Sequence, residues 1–192
     1  MLWIEFASVA IDIYIDMNYR APKSIEAMGM QQQILIVDMD KCVGCKLCSV
    51  TCSLVNENVF SPARSRIRVY LDESSYLPIP VLCEHCSDPP CQPVCPTAAI
   101  TKDTDTGIVK IDAGICSGCR ACEGACPYDA VVFLAEGNKA VICDLCGGDP
   151  ECAKVCTLGA IRYMKSNPST IKDKWKFARE RAKALADFRG SL

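Results

Sequence analysis

The stretch CSGCRACEGACP, residues 116–127, sets four cysteines apart by two, two and three residues and closes on a proline. Three thiols this close together can sit on one loop and wrap three corners of a compact inorganic body. The fourth, set back by three residues, is turned away and can reach a second such body. The chain repeats the pattern. CVGCKLCSVTC (42–52) lacks only the proline, while CEHCSDPPCQPVC (83–95) and CDLCGGDPECAKVC (143–156) lengthen only the gap before the third cysteine. The four runs hold all sixteen cysteines of the 192 residues.

Three chemistries use so many thiols. Disulfide scaffolds belong to oxidising compartments and carry a secretory signal. Here the apolar start MLWIEFASVAIDIYIDM is interrupted by Glu5, Asp12 and Asp16 and has no basic beginning. Structural zinc takes two CxxC knuckles from separate places. Cys83/Cys86 and Cys143/Cys146 could each be one knuckle, but a triple CxxCxxC with a fourth cysteine three residues on is not that pattern. The third chemistry is iron–sulfur: C-x2-C-x2-C-x3-C-P is the bacterial ferredoxin run, whose fourth cysteine ligates the other cluster. Residues 116–127 match it letter for letter, so the expectation is four [4Fe–4S] clusters.

Composition agrees. Without the cysteines the apolar share falls from 50% to roughly 42%, and a chain with a modest apolar core often needs metal or disulfides to hold it. The net charge of -2 gives no sign of a nucleic-acid binder. Counting each cluster with its thiolates as about -2 takes the loaded chain to about -10. The N-terminal apolar stretch is too short and too acidic for a membrane span, and reduced thiols point to the cytoplasm.

The segments between the runs repeat as well. Cys95, Cys126 and Cys156 are followed by PTAAI, PYDAV and TLGAI, each read as a short helical turn into a strand. AITKDTDTGIVKID and AVVFLAEGNKAVIC read as hairpins, the second turning at Gly137-Asn138. QILIVDMDKC supplies a strand before the first run. In RIRVYL, Ile67, Val69 and Leu71 should share one strand face. From Ser169, with Ser169 or Thr170 as cap, a helix should place Ile171, Trp175, Ala178, Ala182 and Leu185 on one face and Lys and Arg on the other. That face could pack on the chain's own domain or dock on a partner. The fold class expected is α+β: two bacterial-ferredoxin-like modules, one inserted within the other, with terminal extensions. Residues 1–30 would be an N-terminal extension, with Met28 or Met30 as an alternative start. Residues 31–165 would be the cluster domain (outer module 31–82 plus 140–165, inner module 83–139), and 166–192 the C-terminal helix.

With CEHCSDPPCQPVCP second and CSGCRACEGACPYDA third, the order of runs resembles the four-cluster iron–sulfur subunits of molybdenum and tungsten oxidoreductases. That family includes the electron-transfer proteins of dimethyl-sulfoxide reductase, formate dehydrogenase and carbon-monoxide dehydrogenase. The resemblance spans about residues 31–165. It implies crossed ligation: Cys42, Cys45 and Cys48 with Cys156; Cys143, Cys146 and Cys152 with Cys52; Cys83, Cys86 and Cys91 with Cys126; Cys116, Cys119 and Cys122 with Cys95. The short fourth run looks most like the small subunits of tungsten aldehyde oxidoreductases, and similar to those of benzoyl-CoA reductases. Thr157 departs from the proline many relatives have. The implied partner is a large catalytic subunit with a tungsten or molybdenum pterin, in an anaerobic complex that can also include a flavin subunit, with no nucleic acid and no direct membrane span.

His85 is the only histidine; the family pattern has a non-ligating His there. Pro96 and Pro127 would end local structure, and Lys41, Lys46 and Arg120 read as solvated charges beside cluster loops. No GxGxxG after a strand, Walker lysine or catalytic triad stands out. The chain therefore reads as a conductor of electrons and not as an enzyme. The alternatives are a subunit of a carbon-monoxide dehydrogenase, hydrogenase, formate dehydrogenase or benzoyl-CoA reductase complex, or a cluster-carrying maturation factor.

Overall fold

The structure, a computed structural model, describes residues 32–72 and 76–190. The expectations for residues 1–30 lie outside these. Among the described residues, no helix is long and apolar enough to cross a membrane.

Strand β1 (Gln33–Val37) is buried along four successive residues. Side chains alternate across a strand, and β1 uses both faces. Ile34 and Ile36 enter one apolar cluster with Ile79 and Trp175. Leu35 and Val37 enter another with Ile67, Cys52 and Cys143. Its partner is β8 (Ile161–Lys165), antiparallel from Gln33↔Lys165 to Val37↔Ile161, so the two ends of the cluster region are joined by one ladder.

Between them run α1 (Leu47–Glu57), the pair β2 (Arg68–Asp72) and β3 (Leu77–Val81), and the hairpin β4 (Ile100–Lys102) with β5 (Val109–Ile111). Then come α2 (Ala121–Ala125), the hairpin β6 (Val132–Leu134) with β7 (Lys139–Val141), and α3 (Glu151–Lys154). Both hairpins fall where the sequence puts them. The first turns on Asp103, whose Oδ1 accepts from the N–H groups of Asp105 (2.9 Å) and Thr106 (2.8 Å). The turns after Cys95, Cys126 and Cys156 lead into β4, β6 and β8, as the repeated tails suggest.

β2 departs from expectation. Ile67 is buried, but Leu71 is 46% exposed. The ladder is only two strands wide, and Leu71 lies near its outer end, opposite Pro78. Tyr70, on the other face, packs on the core against Phe188 (ring centroids 5.9 Å apart).

The last element is α4 (Pro168–Gly190). Its cap is Asn167, not Ser169 or Thr170: Asn167 Oδ1 accepts from the N–H groups of both, at 3.0 Å each. The Thr170 hydroxyl accepts in return from Asn167 N–H at 2.8 Å, and Pro168 takes the first helical position, where its missing N–H costs nothing. Ile171, Trp175, Ala178, Ala182 and Leu185 are all buried, against Ile34, Ile36, Ile79 and Val81 of the same chain. Of the two uses open to that face, packing on its own domain is the one found. Lys174 and Arg181 are also buried, contrary to a wholly solvated cationic face.

Candidate metal centres

The local backbone explains why the runs hold their thiols as they do. The second residue after the leading cysteine has a positive φ in all four runs: Gly44 (68°), His85 (50°), Gly118 (72°) and Leu145 (58°). This curls the loop so that amide groups turn inward, a concave arrangement suited to negative charge. His85 N–H reaches Cys83 Sγ at 3.4 Å. Gly44 and Leu145 donate in the same way to Cys42 and Cys143. At Gly118 a side chain is barred twice over, since a Cβ would also come within 2.4 Å of Asn138 O.

The closing cysteines share a second device. Three residues after Cys95, Cys126 and Cys156 the backbone is again left-handed, at Ala98 (52°), Asp129 (51°) and Gly159 (66°). Just beyond, the N–H groups of Ala99, Ala130 and Ile161 donate to Cys95, Cys126 and Cys156 Sγ at 3.3, 3.4 and 3.3 Å. The turn after Cys156, with Thr157 in place of proline, keeps the left-handed residue but takes its donor one residue later, from Ile161. Cys52 sits on α1 instead, and Asn56 Nδ2 donates to its carbonyl (2.9 Å) and to its Sγ (3.6 Å). These donors stabilise thiolate over thiol and would temper the charge of any bound cluster.

Thiols far apart in sequence lie close enough to repel one another. Burial pushes Cys42 up, Gly44 N–H pulls it down, and repulsion from Cys45 and Cys156 raises it again. Cys48 is pushed up to about 11, by burial first and also by Cys42 and Cys45. Burial raises Cys143 to about 12, with Cys52 and Cys146 adding to it. Cys146 and Cys152 are raised by burial, and each faces Cys52. Cys83 and Cys86 are raised by burial, Cys86 to about 12, and both face Cys126. Cys91 rises to about 11 by burial and likewise faces Cys126. Cys122 is raised by burial and lies by Cys116, Cys119 and Cys95. At Cys95 the push of burial is outweighed by hydrogen bonds from Thr97 and Ala99, and its thiol is lowered.

Three further proximities link these sets in a row. Cys48 lies within electrostatic range of Cys152, Cys143 of Cys83, and Cys91 of both Cys95 and Cys122. Cys45 and Cys119, the exposed cysteines, lie in the first and last sets. A cavity of about 220 Å³ opens beside Cys42, Cys45, Cys48 and Cys156, walled by Val69, Pro80 and Ile161. The gap among Cys95, Cys116, Cys119 and Cys122 is nearly closed, at about 10 Å³. Among the described residues, no three His, Cys, Asp or Glu groups come together as a single bound ion requires. A cubane spreads its ligands over four irons instead. The thiols and the amides that donate to them suit that group.

His85 Nδ1 accepts from Val109 N–H at 3.0 Å. Burial, and then the charges of Lys174 and Lys102, hold the ring down at about 3, so it is neutral in working conditions. Sequence reasoning missed the charged groups around this loop. Lys102 Nζ donates to Cys86 O and Ser87 O, both at 2.8 Å, and Lys174 Nζ donates to Glu84 O at 2.7 Å. Arg181 donates to a Glu84 carboxylate oxygen and to Val37 O. A signal was present: Ile171, Lys174, Ala178, Arg181 and Leu185 follow helical spacings of three and four, along the edge of the apolar stripe.

Residues 74–166 match the family described as a 4Fe-4S dicluster domain. The polyferredoxin-like subunit of an aliphatic sulfonate oxidoreductase from Pyrococcus furiosus is 42% identical over 128 residues, covering 66% of this chain and 73% of that protein. The thiosulfate reductase electron transfer subunit of Salmonella typhi is 32% identical over 154 residues, covering 73% and 80%. A tetrathionate reductase subunit from Salmonella typhimurium is 34% identical over 152 residues, covering 73% of this chain and 60% of that protein. Among solved structures, a chain of the active-site complex of benzoyl coenzyme A reductase is 24% identical, with a TM-score of 0.43 over 81% of this chain and 94% of that one.

Proposed function

The chain belongs to the family of iron–sulfur electron-transfer subunits of dimethyl-sulfoxide-reductase-type complexes, and from that premise we propose that it is a four-cluster wire serving a metal-pterin catalytic subunit. The sixteen cysteines hold four [4Fe–4S] clusters, with each closing cysteine ligating the cluster of another run. The observation that carries this reading is the company of the closing cysteines. Cys156 lies by Cys42, Cys52 by Cys143, Cys146 and Cys152, Cys126 by Cys83, Cys86 and Cys91, and Cys95 by Cys122. The inner pair of sets falls within 83–139 and the outer pair within 31–82 plus 140–165. This supports two ferredoxin-like modules, one inserted within the other.

The row of proximities supports an order for the wire, with the exposed Cys45 and Cys119 at its two ends. Bound clusters would supply one-electron redox chemistry. The chain's own contribution is to space them, to keep water from the inner sets by burial, and to set their potentials with amides and charges.

The partner proposed is a tungsten-pterin oxidoreductase of the aldehyde-oxidising kind. One observation favours a second reading of its substrate. Five relatives are named for complexes that handle oxidised sulfur compounds: aliphatic sulfonate, tetrathionate, thiosulfate, sulfite and dimethyl sulfoxide. Anaerobic purification with the partner, followed by metal analysis, tests the proposal. A large subunit containing tungsten or molybdenum is expected, and a stable complex without either metal would overturn the pterin assignment.

A further inference from the structure

The loop Cys83–Ser87 is unusual in its charge. Glu84, in its middle, is 4% exposed. Two cations are buried against it: Lys174 at 6% and Arg181 at 3%. Lys174 Nζ lies 2.7 Å from Glu84 O and 4.0 Å from Oε2, and Arg181 pairs with Oε1. A third cation, Lys102, bonds the carbonyls of Cys86 and Ser87 at 2.8 Å each. Asp129, three residues after Cys126, is also buried, and two more cations reach it: Arg68 at 3.4 Å and Arg189 at 2.7 Å.

The balance around this one set of cysteines is therefore positive. Two buried acids, Glu84 and Asp129, and the exposed Asp88 stand against five cations, of which the two fully buried ones, Lys174 and Arg181, share the single charge of Glu84. A buried charge without a counter-charge is costly. Something negative must lie nearby, and a cluster bearing four thiolates, at about -2 oxidised and about -3 reduced, would be that anion. The Cys116 loop has one part-buried cation, Lys139, which donates to Cys116 O, but among the described residues only Lys174 and Arg181 are fully buried cations. Lys41, Arg120 and Lys154 have half-exposed side chains, and Arg66 is matched by Glu57 and Asp144. Solvent screens such charges, whereas a buried charge acts at nearly full strength.

We propose that α4 is a potential-setting element: through Lys174 and Arg181 it raises the reduction potential of the cluster held by Cys83, Cys86, Cys91 and Cys126. The inference rests on the four-cluster reading above and adds a role for the helix. Lys174 and Arg181 are positioning residues that touch the loop, not the cluster. Reduction brings in one electron and no proton, with dithionite as the donor, and the bound thiolates stay bound. Both cations then face one more unit of negative charge and favour the reduced form.

The test is an EPR-monitored dithionite titration of the full-length holo-protein, with iron and sulfide counted beforehand. In Lys174→Met one of the four midpoint potentials should fall while the others hold. In Glu84→Gln the same potential should rise, because the loop loses an anion and keeps both cations. Lys174→Arg, which preserves the charge, should leave it in place. A purely structural role would move Lys174→Met and Glu84→Gln in the same direction, or move several clusters at once, and either result overturns the inference. If Lys174→Met does not accumulate, the Glu84→Gln and Lys174→Arg pair decides: a rise in the first with no shift in the second upholds it, and any other pattern sinks it. Fully loaded wild type with unmoved variants overturns the inference alone. A wild type without clusters overturns the four-cluster reading, and the inference with it.

Discussion

Replacing Trp175 by alanine tests whether α4 belongs to the chain's own core. Trp175 is 6% exposed and packs with Ile34, Ile36, Ile79 and Ala178. The Lys174 ammonium lies 5.0 Å from its ring centroid. Deleting a buried aromatic side chain costs about 3–5 kcal/mol, because its transfer energy is lost and a cavity remains. Set against a net stability of about 5–15 kcal/mol, that is a large fraction. At about 2–4 °C per kcal/mol for a chain of this size, the unfolding midpoint should drop by roughly 6–20 °C. The assay is anaerobic thermal unfolding of the holo-protein by circular dichroism at one fixed scan rate, since cluster loss makes the transition rate-dependent. Lys176→Ala is the control. Its side chain is 65% exposed and its ion pair with Glu180 spans 3.9 Å, so it should cost less than about 0.5 kcal/mol. If Trp175→Ala melts with the control, the helix is not held by this packing, and its apolar face must serve another surface.

Two other outcomes follow from the same geometry. Gly118→Ala puts a Cβ within 2.4 Å of Asn138 O at a φ of +72°; it should cost about 1–3 kcal/mol and lower cluster occupancy at Cys116, Cys119 and Cys122, read by iron analysis, and full occupancy with an unchanged midpoint would refute it. Cluster loading displaces a proton from each thiol, and burial holds Cys48 and Cys91 at about 11 and Cys86 and Cys143 at about 12. Loading of folded apo-protein should therefore keep improving as pH rises past the ordinary thiol range near about 8.5, and a plateau there would mean the thiols are open to water. The sign for folding is opposite: thiols raised in the folded apo-chain contribute stability below the unfolded value that is lost as pH climbs through the folded values.

The sequence was most readable where one local rule decides. Cysteine spacing marked every run, alternation and turn residues marked both hairpins, and the stripe Ile171–Trp175–Ala178–Ala182–Leu185 marked the buried face of α4. It was least readable where the deciding partner is distant. β3 was missed because Pro78 and Pro80 argue against a strand, yet in a two-stranded ladder a proline can point its missing donor outward. α1 was missed because a cysteine run reads as loop, although Cys48 and Cys52 are one helical turn apart. Lys174 and Arg181 read as solvated because their anion, Glu84, lies 90 and 97 positions away. The cap fell to Asn167 because an Asn before a proline serves both Ser169 and Thr170. In the candidate centres, the thiols were legible and their setting was not. The left-handed residues at Ala98, Asp129 and Leu145 carry no glycine to announce them.

The count of iron and acid-labile sulfide in anaerobically purified protein bears most directly on the central claim. Four cubanes on sixteen cysteines require about sixteen of each per chain. About eight of each would leave half the thiols without a cluster and break the wire, and zinc without sulfide would contradict the account altogether.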